Sequence, residues 1–488
     1  MKNKFYITTA IDYVNAEPHV GHAYQKVIAD VLARYHKILG EDVFLLTGTD
    51  EHGQKIARSA ESEKLTEKQF VDKMSAKFKD SWKQLNVDFD RFIRTTDNDH
   101  EKGVQEFIKI LEKKGDIYKG FYEGYYCVGC EAFFSDSEAK GKDYVCPIHK
   151  KKLEKLKEET YFFKLSKYQK QLLELYRKNP EYILPESKRN EIINRVKEGL
   201  IDLSITRTTF SWGIPFPLDK NHIFYVWFEA LLNYLTGIGW PSSDYKRYWP
   251  ADVHLLGKDN AWFHCVIWPA MLLSAGIKVP KTVFVHGFLT VNGEKISKSL
   301  GNVISPKYLA DKYGTDSVRY FILRNISFGE DGDFSENALK ERHNNELANK
   351  LGNLVSRVAG MAKTKIPKGI SDAELASKLK LTEIYKHMDN LSPDKALSEI
   401  FEFIDSCNEY VQKKQPWKLE GKEKDNVLYS LFDSIRIISI LLWPFMPETC
   451  EKISSQFNFP KPSIENAKFN LAKAGKINKA EILFEKIE

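Results

Sequence analysis

Two short stretches of this sequence hold residues suited to phosphate chemistry. The first is His19-Val20-Gly21-His22, which follows an apolar run and opens a second one. A helix starting there would offer free N–H groups and a partial positive charge to an anion. Histidines three apart on a helix share a face, so both rings can meet one triphosphate. Gly21 leaves room for a nucleotide against the backbone. By itself the tetrapeptide also fits two surface histidines at a helix start. The second stretch is Lys295-Ile296-Ser297-Lys298-Ser299, followed by Leu300-Gly301-Asn302 and preceded by a turn-forming Val-Asn-Gly-Glu. Lysines on a loop can neutralise charge that develops on a phosphoryl group in flight. A solvated lysine-rich loop would look the same.

A third pattern has metal-ligand spacing. Cys127-x2-Cys130 is followed after fifteen residues by Cys146-x2-His149. Thiolates and an imidazole at this spacing can close a tetrahedron around Zn²⁺. Four protein ligands leave no open position for a substrate, so the expected role is structural. Cys265, Cys407 and Cys450 have no such partners and read as core residues.

The elements that must position these groups are visible around them. Residues 4–11 (KFYITTAI) have a strand pattern, a helix is expected from about His19 to Gly40, and DVFLLTGTD reads as a buried parallel strand. Strand, helix, strand in this order predicts a βαβ unit and an α/β, Rossmann-like parallel sheet, with ligands at the carboxyl ends of its strands. His19, His22 and Asp50 fall there. Residues 116–160 are aromatic, Cys-bearing and then Lys/Glu-rich, which suggests an insertion. Strand patterns return at HIFYVWF, DVHLLG and KTVFVHG, and from about residue 335 the pattern is helical. The expected division is a first catalytic half at 1–115, a connective insertion with the zinc knuckle at 116–222, a second catalytic half at 223–334 and an all-α domain at 335–488. The 488 residues exceed one hydrophobic core. The net charge of +6 is compatible with an RNA partner without arguing for one. With no leader pattern, no membrane-length apolar run and only six cysteines, a reducing, cytoplasmic setting is expected.

HVGH early and KISKS late, on a Rossmann-like pattern, resemble the two signatures of class I aminoacyl-tRNA synthetases, departing from the usual HIGH and KMSKS only at the apolar Val20 and Ile296. Within that class the chain resembles the methionyl-tRNA synthetases over nearly its whole length. The segments that carry this are Ala10-Ile11-Asp12-Tyr13, Val226-Trp227-Phe228-Glu229-Ala230-Leu231-Leu232-Asn233-Tyr234, Trp262-Phe263-His264 with Trp268-Pro269-Ala270, and Asp50 in GTDEHG. The resemblance implies ATP with Mg²⁺, attack of a carboxylate on the α-phosphate, and catalytic roles for His19, His22, Lys295 and Lys298. Gly257-Lys258-Asp259 resembles a further nucleotide-contacting element, adding Gly257 and Asp259 to the ATP site with Gly21. A methionine pocket is implied at Ala10, Ile11, Tyr13, Asp50, Trp227, Ala230, Tyr234, Phe263 and His264. Its chemistry fits: aromatic edges attract a thioether, and a carboxylate orients an ammonium. In the helical domain, Asn353 and Arg357, four apart, and Pro416-Trp417 resemble the elements that read the CAU anticodon of tRNA(Met). No editing-sized insertion is seen. No further module follows the helical domain, which makes a monomer the expectation.

Three other readings stay open on sequence grounds. A cysteinyl enzyme also uses zinc, but to bind substrate, with ligands scattered through its catalytic domain. A non-catalytic tRNA-binding paralogue need not keep HVGH and KISKS. A nucleotidyltransferase would leave the helical domain unexplained.

Overall fold

The computed structural model describes residues 3–127, 132–134, 139–147, 150–296, 301–478 and 481–488. Its central element is a seven-stranded parallel sheet. The strands are β1 (Lys4–Thr9), β2 (Asp12–Tyr13), β3 (Asp42–Asp50), β4 (Arg91–Arg94), and, much later, the equivalents contributed by residues 183–286. Between β4 and those, two long antiparallel strands, β5 (Ile117–Cys127) and β6 (Glu154–Phe163), pair from Ile117↔Phe163 to Tyr126↔Glu154 and form the stem of the insertion. The parallel sheet resumes with β7 (Ile183–Leu184), β8 (Val253–Gly257) and β9 (Thr282–His286). Its pairing order is β4-β3-β1-β8-β9-β7, with β2 alongside the last two residues of β3. The edge strand β7 comes from inside the stretch 116–222, so that stretch also contributes to the catalytic sheet.

Helix α1 (Val20–Ile38) carries the first half of the chain from β1 to β3, and Gly40 ends it with φ 83°. β8 then returns on the opposite side of β1, in register Ile7↔Val253 to Thr9↔Leu255. The order therefore reverses between β3 and β8, and the crevice at the carboxyl end of β1 is the topological switch point where such sheets bind ligands. The strands are apolar because helices cover both faces: Tyr6, Ile7, Leu45, Leu46, Leu255 and Leu256 are all buried.

HIFYVWF departs from its expected strand. Only Ile223 and Phe224 pair, with Thr206–Arg207, and the chain then enters the short helix α2 (Val226–Ala230). Burial of Phe228 and Ala230 on that helix outweighs the β-propensity of the aromatic residues.

The KISKS segment starts at the last residue of β11 (Glu294–Lys295), which forms a small sheet with β10 (Leu289–Val291) and, from later in the chain, β12 (Gly332–Phe334). Beyond it the chain is mainly helical. This last part is bolted to α1 by Arg319. Its fully buried guanidinium donates to Asp30 Oδ2 in α1 (2.7 Å), and to the carbonyls of Leu85 (3.0 Å), Pro444 (2.9 Å) and Phe445 (2.9 Å). The helix that bears HVGH at its start is thus fixed in its middle by a charge-assisted network. Among the described residues no helix is long and apolar enough to cross a membrane.

Candidate active site

His19 is the N-cap of α1, with extended backbone, and stands just outside the helix on which it was expected to lie. Its Nδ1 accepts the Gly21 N–H (3.1 Å), while the His19 N–H donates to His22 Nδ1 (3.2 Å). The two rings lie 3.8 Å apart. The N–H groups of the first turn are therefore not free for phosphate. Val20 donates to the Ile304 carbonyl (3.0 Å), Gly21 to His19, and both His22 (2.9 Å) and Ala23 (3.2 Å) to the His19 carbonyl. What the helix start offers an anion is instead the two imidazoles. Burial, then the neighbouring His22, holds the His19 pKa down at about 2; burial, then Lys26, holds that of His22 at about 3. Both rings are neutral, and each has Nδ1 occupied as an acceptor. The ring proton sits on Nε2, where it can be donated to a phosphate oxygen.

The second signature comes to the same place. A Cβ placed on Gly21 would lie 3.0 Å from His19 Nδ1 and Cε1, and 3.2 Å from Ile296 Cδ1. Ile296 packs partly buried against the main core. Lys298, with Ser297, Ser299 and Leu300, lies outside the described residues, as does the side chain of Lys295. A side chain at Gly21 would thus press on two histidine atoms and one isoleucine methyl, each of which would have to give by a few tenths of an ångström. Gly257 ends β8, and Asp259 Oδ1 would stand 2.8 Å from a Cβ there. Lys258 is turned away, forming a two-oxygen pair with Asp331 at 2.7 Å to each.

The expected methionine residues gather around the carboxyl ends of β1 and β3. The Ala10 N–H donates to the Leu255 carbonyl of β8 (3.0 Å), and Tyr13 pairs with Asp50, the last residue of β3. Ile11 and Tyr13 are partly exposed; Asp50 and Ala10 are buried. Trp227 and Phe263 stack with centroids 4.0 Å apart and planes 7° from parallel, each partly open to solvent. Behind them, Tyr234 Oη lies 2.6 Å from His264 Nε2. His264 Nδ1 lies 3.0 Å from the Asn260 carbonyl, which can only accept, so Nδ1 carries the proton and the tyrosine hydroxyl donates to Nε2. Burial holds His264 at about 4, so this ring too is neutral. A phenol and an imidazole are thus locked in one tautomer, with His264 next in the chain to Phe263 of the stacked pair.

The helix that carries Trp227 is braced by a contact the sequence does not announce. The buried Glu229, in α2 between Trp227 and Ala230, lies 2.8 Å from His52 Nδ1 and 2.9 Å from His100 Nε2. This joins the end of β3 to the helix bearing the aromatic wall. Burial raises the Glu229 carboxyl to about 7, against the pull of His100. The available signal was an acid inside the apolar run YVWFEALL.

In the helical domain, helix α3 (Asn353–Ala362) exposes Asn353, and the Arg357 guanidinium lies 5.7 Å from the Trp417 ring centroid. Trp417 is 49% exposed, next to the buried Pro416.

Of the zinc-spaced residues, Cys127 and Cys146 are described, and both are buried in a small core of their own with Ala139 and Leu153. Cys130 and His149 lie outside the described residues. Elsewhere, Glu159, Asp219 and His222 place ligand atoms near one another, but Lys119 Nζ already sits 2.7 and 3.0 Å from the two carboxylates.

Comparison with known proteins bears on this arrangement. The family model for class I tRNA synthetases (M) matches residues 5–152 and 141–359, and that for the anticodon-binding domain of tRNA ligase matches 375–488. The methionine–tRNA ligase of Thermotoga maritima is 44% identical over 99% of this chain and 80% of its own length; that of Rickettsia prowazekii is 44% identical over 94% of each. The chain belongs to the methionine–tRNA ligases. A solved structure of the Mycobacterium tuberculosis enzyme of this family, in complex with methionyl-adenylate, superposes with a TM-score of 0.94 at 39% identity, covering 99% of both chains. The resemblance first seen in the short segments thus extends over the whole ligase fold, catalytic and anticodon-binding parts alike.

Proposed function

We infer that this ligase activates L-methionine with ATP, forming methionyl-adenylate and pyrophosphate, and then transfers methionine to the 3′-terminal adenosine of initiator and elongator tRNA(Met), releasing AMP. The observation that carries this reading is the meeting of HVGH and KISKS at Gly21 and Ile296, at the sheet's switch point. In the first step the methionine carboxylate attacks the α-phosphorus and the bond to the β-phosphate oxygen breaks. His19 and His22 donate from Nε2 to phosphate oxygens. Lys295 and Lys298 offset the charge gathering on the leaving pyrophosphate. Gly21, Gly257 and Asp259 seat the nucleotide. Asp50 takes the α-ammonium. Ala10, Ile11, Tyr13, Trp227, Ala230, Tyr234, Phe263 and His264 enclose the side chain. Its sulfur meets aromatic edges and the Tyr234–His264 pair. Mg²⁺ accompanies ATP and supplies charge neutralisation on its phosphates.

In the second step Asn353, Arg357, Pro416 and Trp417 hold the anticodon, with Trp417 stacking on a base and Arg357 backing the indole. Cys127, Cys130, Cys146 and His149 hold one structural zinc ion. The burial of the two described thiols in a private core, and the tight turn in which the Lys150 N–H donates to the Cys146 carbonyl (2.8 Å), suit such a knuckle. The setting is the cytoplasm, where tRNA, ATP and methionine meet.

The test is ATP–pyrophosphate exchange with each of the twenty amino acids. Methionine alone is expected to support rapid exchange. Faster exchange with cysteine or any other amino acid would overturn the assignment.

A further inference from the structure

At the carboxyl end of β9, His286 carries a buried atom without a partner. Its ring is 6% exposed and stands edge-on to Tyr24, with centroids 5.2 Å apart. Nδ1 lies 2.7 Å from the Gly287 carbonyl, which can only accept, so the proton is on Nδ1. Burial keeps the ring neutral, with its pKa at about 4. Nε2 is therefore a lone-pair acceptor, and it makes no hydrogen bond. Buried acceptors left this way are uncommon and costly, which points to a donor that arrives with a ligand.

The surroundings say which donor. β8 and β9 are neighbours, in register Gly257↔His286. A Cβ on Gly257 would stand 2.8 Å from Asp259 Oδ1, 3.6 Å from His286 Cε1 and 3.9 Å from His286 Nε2. The side-chain space missing at Gly257 is thus bordered by a carboxylate on one side and a neutral nitrogen acceptor on the other. Phosphates cannot fill such a place, because they bring only acceptors. In ATP, the vicinal diol of the ribose presents two hydroxyl donors on adjacent carbons.

We propose that His286 is a nucleotide-reading residue: its Nε2 accepts a hydrogen bond from one ribose hydroxyl, while the Asp259 carboxylate takes the other. This rests on the reading of Gly257 and Asp259 as nucleotide contacts. The histidine acts by selecting and orienting the sugar, and so the α-phosphate attached to it.

The experiment compares kcat/KM in methionine-dependent pyrophosphate exchange for ATP, 2′-deoxy-ATP and 3′-deoxy-ATP. It uses the intact chain and three variants, each checked by thermal melting. The unaltered chain should use each deoxynucleotide about tenfold less well than ATP. His286→Asn keeps an amide to meet the Gly287 carbonyl but ends short of the Nε2 position. It should lose its preference for ATP over one of the two deoxynucleotides, to within about twofold, and retain it over the other. His286→Gln can bring its amide oxygen to the Nε2 position and should restore the preference. Asp259→Asn should weaken the complementary preference.

If His286→Asn discriminates as the unaltered chain does, while Asp259→Asn does not, this inference fails and the nucleotide site stands. If both variants keep full discrimination, the ribose lies elsewhere and the reading of Gly257 and Asp259 fails with it. Loss in His286→Asn of discrimination against purine riboside triphosphate, which lacks the 6-amino group, would overturn the proposal by showing that Nε2 reads the base.

Discussion

Gly21 and Ile296, separated by most of the catalytic domain in sequence, approach so closely that a methyl group on the glycine would stand 3.2 Å from the isoleucine Cδ1. One residue sits between the two histidines of the first signature; the other follows the first lysine of the second. Their contact turns two weak local patterns into one site. The histidines face it as neutral Nε2–H donors because their Nδ1 atoms are spent on backbone N–H groups.

Gly21→Ala tests that contact. The added methyl would stand 3.0 Å from His19 and 3.2 Å from Ile296, tighter than nine in ten real contacts, so both side chains must give by a few tenths of an ångström. Adenylate formation is expected to slow by roughly tenfold, less than the hundredfold that a misplacement of about 1 Å brings. Methionine binding should change little. Stopped-flow measurement of the single-turnover step, with equilibrium titration of methionine, separates the two.

Trp417→Ala addresses the other end of the molecule. The indole is half-exposed, so its loss should leave the thermal midpoint nearly unchanged. A lost base stack is worth about 1–3 kcal/mol, which raises the KM for tRNA by roughly five- to 150-fold. Pyrophosphate exchange should be unaffected. A fall in exchange together with the melting temperature would assign the residue to packing instead.

Much of this was legible in the sequence, for physical reasons. DVFLLTGTD reads as a parallel strand because both faces are covered, and β3 spans those residues. HIFYVWF misled because aromatic and branched residues suit either state, and only the tertiary burial of Phe228 and Ala230 selects the helix. The histidine spacing located the start of α1. It did not show that His19 would serve as the cap, which depends on backbone angles at a single residue. The His52–Glu229–His100 brace joins three distant segments, and no periodicity reports such a contact.

Acid should destabilise the fold from about pH 6.5 downward. His19, His22, His52, His254, His264 and His286 are all held neutral by burial. Below about pH 6.5 the unfolded chain binds protons at these positions that the folded chain refuses, so stability falls as pH drops. Asp12 and Asp316, raised to about 6, and Glu229, raised to about 7, act in the opposite sense. They keep protons in the fold that unfolded carboxyls lose above about pH 4, and so temper the loss between about pH 4 and 6.5. Thermal melts in steps of pH should show a decline that begins near about 6.5 and continues below about 4, where His52, His264 and His286 start to protonate in the fold just as the three carboxyls stop tempering the loss. A stability maximum near pH 5 would contradict these burial effects.

Replacing Cys127 or Cys146 by serine should lower the zinc content, measured by elemental analysis, from about one ion per chain toward zero. The midpoint of the insertion's unfolding should fall with it. Full zinc retention in both variants would remove these thiols from the ligand set.

The account rests on Lys298 and the HVGH helix serving one triphosphate, and Lys298→Ala examines that most directly. In single-turnover mixing of ATP with methionine, adenylate formation is predicted to slow by about a hundredfold or more. Equilibrium binding of ATP and of methionine should each stay within about threefold of the unaltered chain. Adenylate formation at close to the normal rate in that variant would contradict the account.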